Sequence, residues 1–341
     1  MSRPLPKEHL VAAVCSKALL RWGQMCLQIS PIIPYYHMVN DAEVLHVKHL
    51  YTYRREAEFK RDIDVLLGRF RPISLEELLA HLHGKSELPR DTFLLTFDDG
   101  FREMVEVVAP ILLAKGVPAT FFITTGCIDN HNLAHHNKLS LLLEYIFNNG
   151  NGTLTKAISL WLSRQDIPGD ALKPRILSID SDRGYLADEL AAVCGYDFGE
   201  YLTTCKPHLT SEQIWWLLKQ GFTIGSHSID HPRYATLSLE DQLYQTRASL
   251  RFLKERFQIH SRAFAFPHSD AGVKMDFFRA LFSDGTLDVS FGTGGMLPHF
   301  FSRNLQRFTM EKTLLPAENI LAKQYARVLY RTMTGRGIRR Q

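Results

Sequence analysis

The chain has 341 residues, of which 45% are hydrophobic, so it can bury a large core and is not intrinsically disordered. Its 40 basic and 36 acidic residues leave a net charge of +4, which is too small to indicate a nucleic-acid-binding protein. No segment approaches the roughly 20 consecutive apolar residues of a membrane span.

The N-terminal segment favours a helix packed on the protein body over a secretion signal. Apolar residues recur at helical spacing from Val11 to Ile29, but Lys17 and Arg21 interrupt them and no small-residue cleavage site follows. The five cysteines are odd in number and form no C-x-x-C pair, which favours reduced thiols over a disulfide framework. These features together predict a cytoplasmic protein.

The body of the protein begins with a predicted strand followed by helices. A short apolar strand is expected within Pro31–Val39, and helical spacing continues from Phe59 to Phe70. Ser74 followed by Glu77 is typical of the capping box that begins a helix.

A β-α-β unit follows. Phe93–Phe97 is a compact apolar run that predicts a buried strand, and it ends at Asp98–Gly100. A helical pattern runs over Glu103–Lys115, is closed by Gly116, and leads into a second strand at Ala119–Thr124. This order is typical of a parallel sheet.

The later part of the chain repeats this alternation after an interruption. Residues from about 129 to 210 fit it poorly and contain helical patterns, so we interpret them as a helical insertion. Further helices and strands are expected at Ser211–Gln220, Phe222–Ile224, Asp241–Phe257, Ala263–Phe266, Leu305–Met310 and Ala317–Arg331. We therefore divide the chain into an N-terminal helical extension (1–30), a catalytic domain (31–312) and a C-terminal helix with a basic tail (313–341).

Two polar motifs each follow a predicted strand. The first is Thr96–Gly100 (T-F-D-D-G) and the second is Gly225–Pro232, which contains His227 and His231. Alone, the first is usually a turn and the second a polar helical face. Together they provide an N,N,O donor set for a divalent transition metal, with a second carboxylate beside it. Metal coordination lowers the pKa of water from about 15.7 to about 7, and a neighbouring Asp can accept its proton.

These motifs resemble the polysaccharide deacetylase family, carbohydrate esterase family four. T-F-D-D-G is unbroken at Thr96–Gly100, and H-S/T-x-x-H-P matches at His227–Pro232. The resemblance extends from about Ile32 to Met310, apart from the insertion, and includes Phe264–Pro267 as the third motif. It implies an incomplete (β/α) barrel of parallel strands and hydrolysis of the N-acetyl group of an amino sugar in a glycan or glycoconjugate.

The resemblance also implies roles for individual residues. Asp98 would be the general base, while Asp99, His227 and His231 would hold the metal, for which we expect zinc. In the third motif, R-x-P-Y in the family, Ala265 stands where an Arg would orient the base. His268 replaces the Tyr whose backbone N–H helps to hold the oxyanion, and any non-proline residue supplies that donor.

The general acid is left open among several histidines. Leu297-Pro298-His299 matches the family's L-x-H motif in letters and makes His299 one candidate. His268 and His136 compete with it. We interpret His37 as a structural strand histidine, with the alternative that it lines the site.

The sequence leaves two other functions open. Relatives of this fold hydrolyse small cyclic amides, and the absent Arg favours a glycan-binding protein without activity. For a deacetylase and for a glycan-binding protein alike, the expected partner is an N-acetylated glycan or glycoconjugate. Peripheral contact with the inner face of the membrane is a further expectation, based on the N-terminal stretch and on Arg336, Arg339 and Arg340.

Overall fold

A computed structural model describes residues 20, 23–27, 29–311, 313 and 315–335. The helix predicted over Val11–Ile29 lies mostly outside these residues, although residues 23–27 are helical and Leu20 is buried in the main core. The basic tail with Arg336, Arg339 and Arg340 lies outside them entirely. Within the described residues, no helix is both long enough and apolar enough to cross a membrane.

A curved parallel sheet forms the centre of the fold. The strands are β1 (Pro34–Tyr36), β2 (Arg71–Pro72), β3 (Thr92–Phe93), β4 (Leu95–Phe97), β5 (Ala119–Ile123), β6 (Thr223–Ser226), β7 (Ala263–Ala265), β8 (Val289–Gly292), β9 (Asn304–Gln306) and β10 (Phe308–Thr309). Among the described residues, eight of them form one sheet in the order β10-β1-β4-β5-β6-β7-β8-β9, while β2 and β3 pair separately. Every pairing is parallel, as the β-α-β pattern predicts.

The two ends of this sheet are consecutive in the chain. Only Arg307 separates β9, which pairs with β8, from β10, which pairs with β1. The sheet therefore curves into a nearly closed barrel with one seam at Arg307, which confirms the expected incomplete (β/α) barrel. Closure buries the inward-facing side chains and brings the carboxyl ends of all these strands to one rim.

Helices cover the outside of the barrel. They are α1 (Glu56–Leu67), α2 (Leu75–Leu82), α3 (Ala109–Lys115), α4 (His135–Asn149), α5 (Gly152–Arg164), α6 (Leu172–Leu177), α7 (Leu186–Cys194), α8 (Phe198–Cys205), α9 (Ser211–Lys219), α10 (Leu239–Phe257), α11 (Met275–Ser283) and α12 (Ala317–Met333). The predicted capping box is confirmed, since Ser74 Oγ accepts from the Glu77 N–H and the Glu77 carboxylate accepts from the Ser74 N–H. Gly116 ends α3 in the left-handed region, at φ 65°.

Several elements differ from the sequence-based expectations. The strand predicted at Leu305–Met310 is divided at Arg307, and the helix predicted from Glu103 begins with a wider π-type turn at Met104–Val108. Strand β8 was not anticipated because a Gly-rich stretch follows it. Helix α11 was not anticipated because polar turn residues flank it. Asp288, which directly precedes β8, is 6% exposed and pairs with Arg262.

The expected helical insertion lies between β5 and α9 and contains helices α4–α8. These helices pack around an apolar cluster of their own, which includes Leu142, Ile158 and Leu190. Contacts also tie the insertion to the barrel: Lys48 and His49 both bind Glu144 on α4. The insertion is therefore held against the rim on which the polar motifs lie.

Candidate active site

Three strand ends bring the polar motifs together at the barrel rim. Asp98 and Asp99 follow β4, His227 follows β6, and His37 follows β1. Backbone hydrogen bonds set their positions, because the Asp98 N–H donates to Tyr36 O and the His227 N–H donates to Ile123 O, both at 2.9 Å. All four side chains line one cavity of about 420 Å³, within the range of about 300–1,000 Å³ typical of small-molecule sites.

Asp99, His227 and His231 form a compact donor set. One ligand atom of each lies within 4.8 Å of the others, and Asp99 Oδ1 is 3.4 Å from His227 Nε2 and 3.2 Å from His231 Nε2. All three residues are buried. Asp99 Oδ1 has no hydrogen-bond partner among the described residues, although a buried carboxylate oxygen is costly to leave unpaired. One carboxylate and two imidazoles are a donor set that suits a divalent transition metal.

Local sequence explains how these donors are held. The backbone of Asp99, Ser228 and His231 adopts left-handed φ values of 72°, 70° and 62°, a conformation that costs energy in residues other than glycine. Ser228 Oγ accepts from the His231 N–H at 3.0 Å and fixes that turn. His227 Nδ1 donates to Ala265 O at 2.9 Å, which leaves Nε2 directed at Asp99.

Asp98 is paired with an arginine that sequence reasoning missed. Arg307 contacts both carboxylate oxygens of Asp98, with Nη1–Oδ1 at 2.7 Å and Nη2–Oδ2 at 2.8 Å. Burial by itself raises the pKa of Asp98, but the charge and hydrogen bonds of Arg307 outweigh it and hold the pKa below its usual value. An arginine thus pairs with Asp98 from the seam between β9 and β10, although Ala265 stands where the resemblance would place one. A single Arg within the predicted strand Leu305–Met310 was the available signal, since a buried charge requires a partner.

His37 forms a second buried pair, with Glu311. Its Nδ1 lies 2.8 Å from Glu311 Oε2, and the N–H groups of His37 and Met38 both donate to Glu311 Oε1. Burial by itself lowers the pKa of His37, but the hydrogen bond and charge of Glu311 raise it to about 9. Bonding through Nδ1 leaves Nε2 for the cavity that His37 lines. His37 is therefore both a paired strand-end histidine and a residue that lines the site, which is the alternative that the sequence left open.

The other histidines from the sequence analysis are divided between the cavity and its surroundings. His268 and His136 line the cavity. The backbone N–H of His268, at φ 57°, donates to no protein acceptor among the described residues. His299 is not among the cavity residues; its ring contacts Phe278 and Phe300, and its Nε2 is 3.8 Å from Asp270 Oδ2.

The insertion forms part of the cavity wall. It contributes His136 from α4 and Leu177 from α6, in addition to barrel residues such as Tyr35 and Thr293. The cavity is lined by five histidines and three carboxylates, together with threonines and with apolar or aromatic side chains such as Leu50 and Phe266. Such a pocket can orient a small polar group, supply a base at Asp98 and supply a proton donor at His37.

The chain and its fold are similar to known proteins. Residues 85–277 match the family model described as polysaccharide deacetylase. The fold is similar to the Streptococcus pyogenes deacetylase PplD in complex with acetate, with 15% identity, a TM-score of 0.53, and coverage of 85% of this chain and 96% of that one. It is also similar to IcaB from Ammonifex degensii (15%, TM-score 0.53, 86% and 96%) and to a de-N-acetylase from Aggregatibacter actinomycetemcomitans (15%, TM-score 0.52, 85% and 98%). A comparison with curated proteins gave no match.

Proposed function

Because the chain belongs to the polysaccharide deacetylase family and is a carbohydrate deacetylase, we propose that it is a divalent-metal-dependent enzyme that removes the N-acetyl group of an amino sugar and releases acetate. The observation that carries this proposal is the buried, ionised Asp98 held by Arg307 directly beside the Asp99, His227 and His231 donor set. A binding module has no need of a buried base next to a metal-type site, so this pair argues against a glycan-binding protein without activity.

We propose that Asp99, His227 and His231 hold the metal, and that it is Zn²⁺. The two imidazoles and one carboxylate fit Zn²⁺, which takes nitrogen and oxygen ligands and keeps a further position open in catalytic sites. The unpartnered Asp99 Oδ1 supports this assignment. When bound, the ion supplies Lewis acidity and lowers the pKa of water.

The remaining steps are assigned to residues of the chain. Asp98 accepts the proton of the attacking water as the new C–O bond forms at the acetyl carbon. Arg307 keeps that carboxylate ionised and oriented. The backbone N–H of His268 stabilises the negative charge that develops on the carbonyl oxygen. As the C–N bond breaks, the leaving amine takes a proton from the acid, so the products are acetate and a free amino sugar.

We assign the general acid to His37 and not to His299. His37 lines the cavity with Asp98 and Asp99, and its pKa of about 9 keeps it protonated at neutral pH. His299 lies outside the set of cavity residues and contacts aromatic side chains instead. His37 can therefore reach a leaving amine bound in this cavity.

We propose an N-acetylhexosamine in a polysaccharide or glycoconjugate precursor as the substrate. The test is acetate release from nucleotide-linked, lipid-linked and polymeric N-acetylhexosamines, with the Asp98→Asn variant as control. The proposal is supported if the native protein releases acetate and the Asp98→Asn variant does not. Turnover of cyclic ureides or imides without any acetate release would identify a cyclic amidase and overturn it.

We propose that the enzyme acts in the cytoplasm, at the inner face of the membrane, and that residues 31–312 form its catalytic domain with the insertion at about 129–210. The four described cysteines (Cys26, Cys127, Cys194 and Cys205) are free, which supports a reducing compartment. The test is cell fractionation at low and high salt. Recovery from the periplasm or the medium would contradict the location.

A further inference from the structure

A second set of imidazoles lies beside the first donor set. His136, His231 and His268 each have a ligand atom within 4.8 Å of those of the other two. The ring centroid of His231 is 4.5 Å from that of His136 and 4.5 Å from that of His268. His231 therefore belongs to both sets.

The two added histidines come from separate parts of the fold. His136 is the second residue of α4, the first helix of the insertion. His268 lies on the loop after β7, at the left-handed φ of 57°. The set is complete only because the insertion packs against the barrel. His268 takes part in it from a left-handed backbone conformation that costs energy in a residue other than glycine.

Two ring nitrogens in this set lack partners. The Nδ1 atoms of His136 and His231 are buried and make no hydrogen bond to any described residue. His227 differs, because its Nδ1 bonds to Ala265 O. A histidine that ligates a metal through one nitrogen normally satisfies the other nitrogen with a carboxylate, carbonyl or water. No such partner is present for His231 Nδ1 among the described residues, and the ring of His231 lies against two imidazoles, those of His136 and His268.

We propose that His136, His268 and Nδ1 of His231 form a second site for a divalent transition metal. Three imidazoles suit Zn²⁺, Co²⁺, Ni²⁺ and Cu²⁺. All three residues line the cavity, so a bound ion keeps a position open for an oxygen donor of the substrate. Nitrogens on one tetrahedral Zn²⁺ lie about 3.4 Å apart for bonds of about 2.05 Å, so a small closure of the side chains completes the site.

This inference rests on the proposed function only for the assignment of His231 Nε2 to the first ion. His231 then ligates one ion through each ring nitrogen and gives up both ring protons. Loading the second ion therefore releases one more proton than loading the first site alone. Because the ions share one ring, two Cu²⁺ ions bound together would be magnetically coupled.

The experiment is a metal titration of the full chain. Protein stripped with a chelator is loaded with Zn²⁺, freed of excess metal by gel filtration, and analysed for metal content. The variants are His136→Ala and His268→Ala, with His135→Ala as a matched control, because His135 adjoins His136 on α4 but is not part of the three-histidine set. Circular dichroism confirms folding, and EPR of the Cu²⁺ form reports on sharing of the ring.

We expect two equivalents in the native chain and in His135→Ala, but one equivalent in His136→Ala and in His268→Ala. One equivalent in the native chain, or two in both test variants, would overturn the second site. Acetate release is measured separately. Acetate release by a chain that binds a single ion would support the proposed function and reject the second site. Binding of two ions without acetate release would support the second site and reject the proposed function.

Discussion

Arg307 reaches across the barrel interior from the seam between β9 and β10 to Asp98, and its two terminal nitrogens contact the two carboxylate oxygens at 2.7 and 2.8 Å. Arg307 has no exposed surface, and its guanidinium also lies over the rings of Tyr35 and Phe122. The planar fork of an arginine matches a carboxylate in a way that the point charge of a lysine does not. The residue at the seam of the barrel is thus also the one that contacts the proposed base.

Replacing Arg307 with Lys is expected to lower kcat by about 10- to 100-fold with metal content unchanged. Asp98 acts as a base only when ionised, so activity is present above its folded pKa and is lost as the pH falls through it. Arg307 holds that pKa down, so the weaker contact raises it and moves the acid limb of kcat to higher pH. Arg303→Lys, in the loop just before β9, is the control. A normal kcat and an unmoved acid limb would remove Arg307 from the mechanism.

Replacing Asp98 with Asn is expected to reduce kcat by about 10²–10⁴-fold while metal binding is retained, because an amide cannot accept the proton. Metal analysis and acetate release measure the two effects independently. The thermal unfolding temperature of the variant is measured as well, because the substitution leaves the buried charge of Arg307 without an opposite charge. Near-native turnover by a metal-loaded variant would show that Asp98 is not the base.

Removing the metal with a chelator is expected to abolish acetate release, and adding Zn²⁺ back should restore it. His227→Ala removes one of three donors to the first ion and should prevent restoration, because the remaining pair binds too weakly. His260→Ala is the matched control, since His260 is exposed and lies outside the cavity. Full activity in the chelated native chain would contradict metal dependence.

His37→Gln and His299→Gln separate the two candidates for the general acid. We expect a loss of about 10²–10⁴-fold in kcat for His37→Gln and little change for His299→Gln. The reason is that His37 lines the cavity while His299 does not. A substrate with a better leaving group should recover part of the loss in His37→Gln. The reverse order of effects would return the role to His299.

Replacing Glu311 with Gln is expected to move the alkaline limb of kcat to lower pH. His37 donates a proton only when protonated, so kcat is sustained below its folded pKa of about 9 and falls as the pH rises through it. A charge-assisted hydrogen bond contributes about 1.5–3 kcal/mol, which corresponds to a shift of about one to two pH units. The Gln carbonyl can still accept the N–H groups of His37 and Met38, so folding should persist. If the alkaline limb does not move, the His37–Glu311 pair does not set the pKa of the general acid.

The alternation of strands and helices and four of the proposed site residues were predictable from the sequence. The predicted run Phe93–Phe97 is apolar and contains the buried strand β4, although the structure divides it at Leu94. The polar residues of the motifs at Thr96–Gly100 and Gly225–Pro232 directly follow β4 and β6. In a parallel barrel, residues that follow strands meet at one rim whatever the details of packing. Local pattern was therefore sufficient to group Asp98, Asp99, His227 and His231.

Only the tertiary structure decided the partners of these residues. Asp98 and Arg307 are 209 residues apart, and His37 and Glu311 are 274 apart. Each pair forms because β10 lies beside β1 when the barrel closes, and no local pattern specifies which strands become neighbours. His136 likewise reaches the cavity only because the insertion packs against the rim. The spacing of residues along the chain indicates which side chains can bind a metal or transfer a proton. The pairing that sets their charge and orientation depends on burial and on closure of the barrel, which join residues far apart in the sequence.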